Sequence, residues 1–336
     1  NFTLYKIERP MANGSQVKNG KSFEYALANE YFRKLSSMGL NVELIEDSSL
    51  KVDREFYKEF PVEVQNRFRS AAIGTIDTIL KIEPGLTAQK DDEDKLTIRL
   101  AKDSEGQSGD VRDIIFNRPS SKWEMGFSAK NNNEAVKHSR LSEVLDFGKQ
   151  WLGVPCSQDY WDEVKPIFKY IDDKLAEDAN AEWKSLGDSK DELIYMPLLE
   201  AFKKELLKIN RENDSIPAKL ISYLIGNKPF YKIIKNDSAN LVIVKAFNIG
   251  GKLNKPVNGV KSRYKVEKIN LPTRIVEFDF KKGKGSTTTL IMILDGGWSI
   301  SFRLHNAETK LVHSLKFDVQ LTGNPPVLFS QYLFQD

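Results

Sequence analysis

The sequence predicts an α+β protein with an α/β core: helix, three strands and helix in succession (αβββα), then a helical insertion, then a β-rich C-terminal region. Three observations predict it. Apolar residues recur four apart early in the chain. They switch to alternation after Pro84-Gly85. Beyond residue 228, short apolar runs are separated by Gly-Lys, Asn-Gly and Asp-Gly-Gly turns. The expected organisation is an N-terminal extension (1–19), the mixed core (20–150), a helical region (151–228) and a β-rich region (229–336).

The first helix is expected over residues 20–38, where Phe23, Leu27, Tyr31 and Leu35 share one face and Gly39 is a natural stop. A second begins near Pro61, a favoured first-turn residue. Phe68, Ala72, Ile76, Ile79 and Leu80 form its stripe, and Pro84-Gly85 ends it. Strands are expected at 96–100, 111–116 and 123–130, with turns at Asp103 to Gly109 and Asn117 to Ser120. Asn131 to Asn133 break the third strand, and a helix is expected from Ala135 to Leu145. Three helices follow (160–175, 193–209, 216–225), then strands at 241–246, 274–280, 288–294, 298–304 and 315–321. There is no internal repeat or low-complexity segment.

The 336 residues allow two or three domains, and 40% apolar residues is a globular composition. No apolar run is long enough to span a bilayer. The first ten residues carry charges and no small-residue cleavage site, so no signal peptide is expected. Met11 would serve as an alternative start, leaving residues 1–10 as an extension. The single cysteine, Cys156, excludes an internal disulfide framework and a Cys-based zinc site. A reducing cytoplasm is the simplest compartment. With only three histidines, a metal would be a hard ion held by carboxylates. The net charge is +3 but unevenly spread. Gln158 to Glu200 holds 12 acidic and 5 basic residues, whereas Tyr231 to Leu290 holds 13 basic and 4 acidic. The basic stretch either faces a polyanion or simply keeps a surface solvated.

The chemistry concentrates in Gly109-Asp110-Val111-Arg112-Asp113 and in Trp123 to Lys130. Side chains alternate faces along a strand, so Glu124, Gly126, Ser128 and Lys130 share one face and Met125, Phe127 and Ala129 the other. Asp113 shares a face with Val111 and Ile115, where a carboxylate is costly without a partner or a metal. Phosphodiester hydrolysis needs such groups. Carboxylates hold a divalent ion, and a nearby lysine stabilises developing charge or orients the attacking water. Asp113 is the first candidate metal ligand and Lys130 the catalytic lysine. Ser128 lines the site, and Asp110 is an added ligand or a turn residue.

This arrangement and its αβββα layout (residues 20–145) resemble the PD-(D/E)xK nuclease core. The sequence departs from that motif at Ser128, where an acid is usual. The resemblance implies that the missing carboxylate lies on the following helix, which makes Glu134 the first candidate, with Glu143 further along. Glu124, on the strand face of Lys130, is another. Glu24 stands where the resemblance implies a further site carboxylate. Spacing alone is weakly diagnostic, because Asp and Ser-x-Lys pairs are common by chance.

Longer blocks are more specific. Gly109-Asp-Val-Arg-Asp-Ile, then Trp123-Glu-Met-Gly-Phe-Ser-Ala-Lys-Asn-Asn-Asn-Glu-Ala-Val-Lys-His-Ser-Arg-Leu-Ser142, resemble the HaeIII-type restriction endonucleases. So do Gly296-Gly-Trp-Ser-Ile-Ser-Phe-Arg-Leu-His-Asn-Ala-Glu-Thr-Lys310 and Ser314-Leu-Lys-Phe-Asp-Val-Gln320. The resemblance spans Gly20 to Gly323. It implies a type II enzyme that cuts double-stranded DNA at GGCC with Mg²⁺, accompanied by a cognate DNA methyltransferase that protects the host's sites. Reading GGCC needs major-groove donors to guanine O6 and N7. Arg303, His305, Asn306, Lys310 and Lys316 are the candidates; each taken singly is more often a solvated surface residue, and the block as a group favours recognition. His138, Ser139 and Arg140 would meet backbone phosphate or solvent, and the basic Lys232–Lys284 set would hold phosphates. A palindromic target would suit a symmetric homodimer, or a monomer acting alone. Two other functions fit the residues: a structure-specific or repair nuclease, and a DNA-binding protein whose site Ser128 has inactivated.

Overall fold

The structure, a computed structural model, describes residues 13–102, 109–132, 136, 139–306 and 308–335. The chain is mixed α+β and divides into two compact units. One takes residues 1–133, 229–268 and 328–336, and the other 134–228 and 269–327. Among the described residues, no helix is long and apolar enough to cross a membrane.

The first unit opens with helix α1 (Asn13–Ser37), strand β1 (Val42–Leu44) and helices α2 (Ser48–Glu59) and α3 (Val62–Ile82). The stripe Phe23, Leu27, Tyr31 and Leu35 is fully buried. α1 stops where Gly39 turns left-handed (φ 78°) and the Leu40 amide returns to the Leu35 carbonyl. In α2, Asp47 caps the N-terminus by accepting from the Leu50 amide at 3.0 Å. The Tyr31 hydroxyl meets Thr75 Oγ1 at 2.9 Å, joining α1 to α3 inside the core.

Strands β2 (Leu96–Leu100), β3 (Ile114–Arg118) and β4 (Trp123–Asn131) form an antiparallel meander. Beyond it lie β6 (Phe230–Asn236), β7 (Leu241–Phe247) and β12 (Ser330–Phe334), so the seven-stranded order is β1-β2-β3-β4-β6-β7-β12. β4 and β6 run parallel, as do β1 and β2. The alternation read in β4 holds: Met125, Phe127 and Ala129 enter the apolar core with α1 and α3.

The second unit has a five-stranded antiparallel sheet of order β5-β11-β10-β9-β8. Its strands are β5 (Ser139–Ser142), β8 (Ile275–Phe280), β9 (Thr289–Leu294), β10 (Ser299–His305) and β11 (Ser314–Gly323). Helices α4 (Gln158–Glu177), α5 (Met196–Glu212) and α6 (Ile216–Ile225) complete it. Phe202 of α5 packs against Phe302 and Phe317 on the buried sheet face, with ring centroids 5.6 and 5.1 Å away.

Apart from β1, α2, β6 and β12, for which no element was expected, the expected elements are present with three differences. The expected helix from 135 to 145 is replaced over Ser139–Ser142 by β5, because this stretch pairs with β11 and buries Leu141 completely. The strand expected from 111 begins at Ile114. Strands β6, β7 and β12, from the stretch expected to form the β-rich region, join the sheet of the first unit. The expected turn residues 103–108 lie outside the described residues.

Candidate active site

Asp113 sits at the bend that leads into β3. Its backbone is gripped from both sides: its carbonyl accepts from the Ala101 amide at 2.8 Å, and its amide donates to the Phe127 carbonyl at 2.7 Å. The carboxylate Oδ2 accepts from the Ala129 amide at 2.7 Å. Lys130 Nζ lies 3.7 Å from the same oxygen, and the two side chains keep 24% and 30% of their exposure, so a ligand can reach both. Ser128 shares their neighbourhood but is only 3% exposed.

Glu24, on the buried face of α1, brings a second carboxylate. Burial and then the negative charge of Asp113 push its pKa up to about 8, with Asp53 of α2 adding to the rise. Lys21 pulls the other way, its Nζ 3.1 Å from Glu24 Oε2. Mutual repulsion at one place, in a donor set made of hard oxygens, is what a divalent cation relieves. Glu24 and Asp113 thus offer carboxylate oxygens of the hard kind that a Mg²⁺-type ion prefers.

Asp110 and Glu124 have a different neighbour. Both Asp110 oxygens accept from the buried Arg112, Oδ1 from Nε at 2.8 Å and Oδ2 from Nη2 at 2.7 Å. Arg112 Nη1 donates to Glu124 Oε1 at 2.8 Å. Gly126 makes this possible, since a Cβ there would stand 2.5 Å from Arg112 Cδ. These two candidates thus gather on Arg112, a bidentate clamp beside the Asp113 bend. Glu134 and His138 lie outside the described residues. Glu143 follows β5 in the other unit, in company with Asp172 and His313.

The sequence did not single out Asp53. Asp53 lies on α2, a helix whose only buried residues are Leu50 and Asp53, so it carries no apolar stripe to announce it. Lys232 and Lys245 were legible only as members of a basic stretch. The register puts Ser128 beside Lys232, Lys232 opposite Lys245, and Lys245 opposite Ser330. Directly paired residues face the same side of a sheet, so two lysines continue the row on which Ser128 stands. The one sequence signal was their position inside otherwise apolar runs.

In the second unit, the register aligns Arg140 with Lys316 and Lys316 with His305 across β5, β11 and β10. Arg303 stands two residues from His305, opposite Asp318. Arg140 and Arg303 are exposed, and His305 and Lys316 half-buried. Arg140 Nη1 donates to Ser314 Oγ at 3.2 Å, and the neighbouring Ser139 is buried. Asn306 and Lys310 are turned to other work. Asn306 Oδ1 accepts from the Tyr195 hydroxyl at 3.2 Å while its Nδ2 donates to the Glu308 carbonyl at 2.8 Å. Lys310 Nζ donates to Asn180 Oδ1 at 3.1 Å.

The model of the HaeIII restriction endonuclease family matches residues 20–325. The type II restriction enzyme HaeIII of Haemophilus aegyptius is 36% identical over 319 residues, which cover 95% of this chain and 97% of that protein. No solved structure matches.

Proposed function

This chain belongs to the HaeIII restriction endonuclease family, and from that membership we propose that it is a type II enzyme cutting double-stranded DNA at GGCC, with Mg²⁺ at the carboxylates of Glu24 and Asp113. The observation that carries the site is the pairing of Asp113 with Lys130 beside a buried Glu24, whose pKa is raised first by burial and then by the charge of Asp113.

α1 with β2, β3 and β4 is read as the PD-(D/E)xK portion of the chain. Glu24 and Asp113 would hold the ion, with Asp53 adding negative charge nearby. A divalent ion bound there would polarise a scissile phosphate and lower the pKa of a water beside it. Lys130 Nζ, kept near Asp113 Oδ2, is positioned to stabilise charge developing on the phosphate or to orient the attacking water. The Ala129 amide holds Asp113 Oδ2 in place. Ser128 takes the motif position usually held by an acid, and Glu24 supplies the missing carboxylate from the preceding helix. Asp110 and Glu124 act indirectly by holding Arg112 beside the bend. Lys232 and Lys245, though buried, add positive charge on the Ser128 side of the sheet. On the second unit, Arg303, His305, Lys316 and Arg140 are the donors for guanine edges and flanking phosphates.

A cognate methyltransferase, a cytoplasmic setting and pairing into a homodimer on the palindrome follow from the restriction role and belong to the same proposal. Plasmid digestion with Mg²⁺ tests it. Discrete fragments whose ends read GGCC are expected. Smearing, or cutting that ignores sequence, would overturn the site-specific reading.

A further inference from the structure

Glu143 carries an inference independent of the nuclease site. It follows the last residue of β5, and the antiparallel register that pairs Ser142 with Ser314 sets it across from His313, just before β11. Asp172 of α4 reaches the same place, with Oδ1 2.8 Å from His313 Nε2. One ligand atom from each of the three side chains lies within 4.8 Å of the others.

We propose that Glu143, Asp172 and His313 form a second metal site, selective for a borderline transition ion such as Zn²⁺. Three observations support it. The donors come from three separate elements, two strand ends and a helix, and converge on one point. The set combines one imidazole nitrogen with two carboxylate oxygens, a mixture that suits Zn²⁺ and not the oxygen-only preference of Mg²⁺. The geometry is also close to what coordination needs, since bonds of ~2.0–2.1 Å in a tetrahedron put ligand atoms about 3.4 Å apart. Glu143 and Asp172 are exposed and free to close the remaining distance, and solvent supplies the fourth position. Metal binding there ties α4 to the β5–β11 edge, three residues from Arg140 on one strand and three from Lys316 on the other.

The full-length protein should be stripped of metal and titrated with Zn²⁺ and, separately, with Mg²⁺. The chain has three histidines, so imidazole signals in a ¹⁵N-edited NMR spectrum are few enough to assign. Zn²⁺ should shift the His313 signals and raise Tm by several degrees at about 100 times Kd, and Mg²⁺ should do neither. One zinc equivalent should remain in Asp113→Asn, which discounts ion at the nuclease site. In His313→Ala and Glu143→Gln the Zn²⁺ affinity should drop by at least the ~10–100-fold that loss of even an outer-sphere partner costs. Their metal-free circular dichroism should match the parent. If that zinc equivalent persists at unchanged affinity in His313→Ala, or if the His313 signals do not move, the site does not exist and Asp172–His313 is a plain hydrogen-bonded pair.

Discussion

At the scale of single residues, chemistry and stability pull in opposite directions at Glu24. Its pKa rises from an ordinary 4.5 to about 8, because it is buried and faces the charges of Asp113 and Asp53. Below pH 4.5 the folded and unfolded chains both keep the proton, and the residue contributes no pH dependence. Between the two values folding takes up a proton, so stability falls as pH rises, and the loss is complete above about 8. Glu24→Gln should therefore stabilise the metal-free protein at pH 8 by on the order of 2 kcal/mol and leave it unchanged at pH 4. Urea unfolding at the two pH values checks this, and a destabilised variant at pH 8 would contradict it. The same variant should lose cleavage. Asp113→Ala and Lys130→Ala should each lower kcat by about 10²–10⁴-fold with the fold retained. Single-turnover kinetics would reveal this, and full activity in both would move the site elsewhere. The identity of Asp113 and Lys130 as a pair was legible from strand alternation. The Arg112 hold on Asp110 and Glu124 was not, because it depends on Gly126 leaving room for an arginine stem.

At the scale of elements, β3 and β4 are held at a set distance by that same glycine. A methyl at position 126 would stand 2.9 Å from the Ile114 carbonyl as well as 2.5 Å from Arg112 Cδ. Gly126→Ala should force the strands apart, cost about 1–3 kcal/mol and shift Asp113 relative to Lys130, lowering kcat. Denaturation and kinetics on one preparation test both, and a variant with normal stability and rate would show that the site does not depend on this spacing. β5 is the element that local reading assigned to the wrong type. Its alternation spans only four residues, Ser139 to Ser142, and its partner β11 lies about 175 residues further on. Leu141 is completely buried there, so Leu141→Ala should cost about 2–5 kcal/mol. On an exposed helix, the same change would have been close to neutral. β6 escaped a strand assignment for the opposite reason: six of its seven residues are buried, so no alternation marks it.

At the scale of the whole molecule, charge is the readable quantity. The basic stretch from Tyr231 to Leu290 includes Lys232 and Lys245 of the row that Ser128 begins. If each holds a phosphate, Lys232→Met and Lys245→Met should each flatten the slope of log affinity against log salt by about 0.9. DNA binding measured in Ca²⁺ reads that slope. A change in stability with an unchanged slope would make them structural. Arg303→Ala should relax the target at one position at a cost of about 1–3 kcal/mol, read by cleavage of a library of near-GGCC sites.

The amino-acid sequence by itself determined the helices with a clear stripe, the β2–β4 meander, the Asp113 and Lys130 pair and the family, because each rests on local periodicity or on a continuous block of residues. Only the tertiary structure decided that residues 139–142 are a strand, that Asp53 bears on the buried Glu24 together with Asp113, and that Asp110 and Glu124 gather on Arg112. Each of those outcomes depends on which distant segments share a sheet or a packing face. A local pattern carries no information about a partner that lies far along the chain.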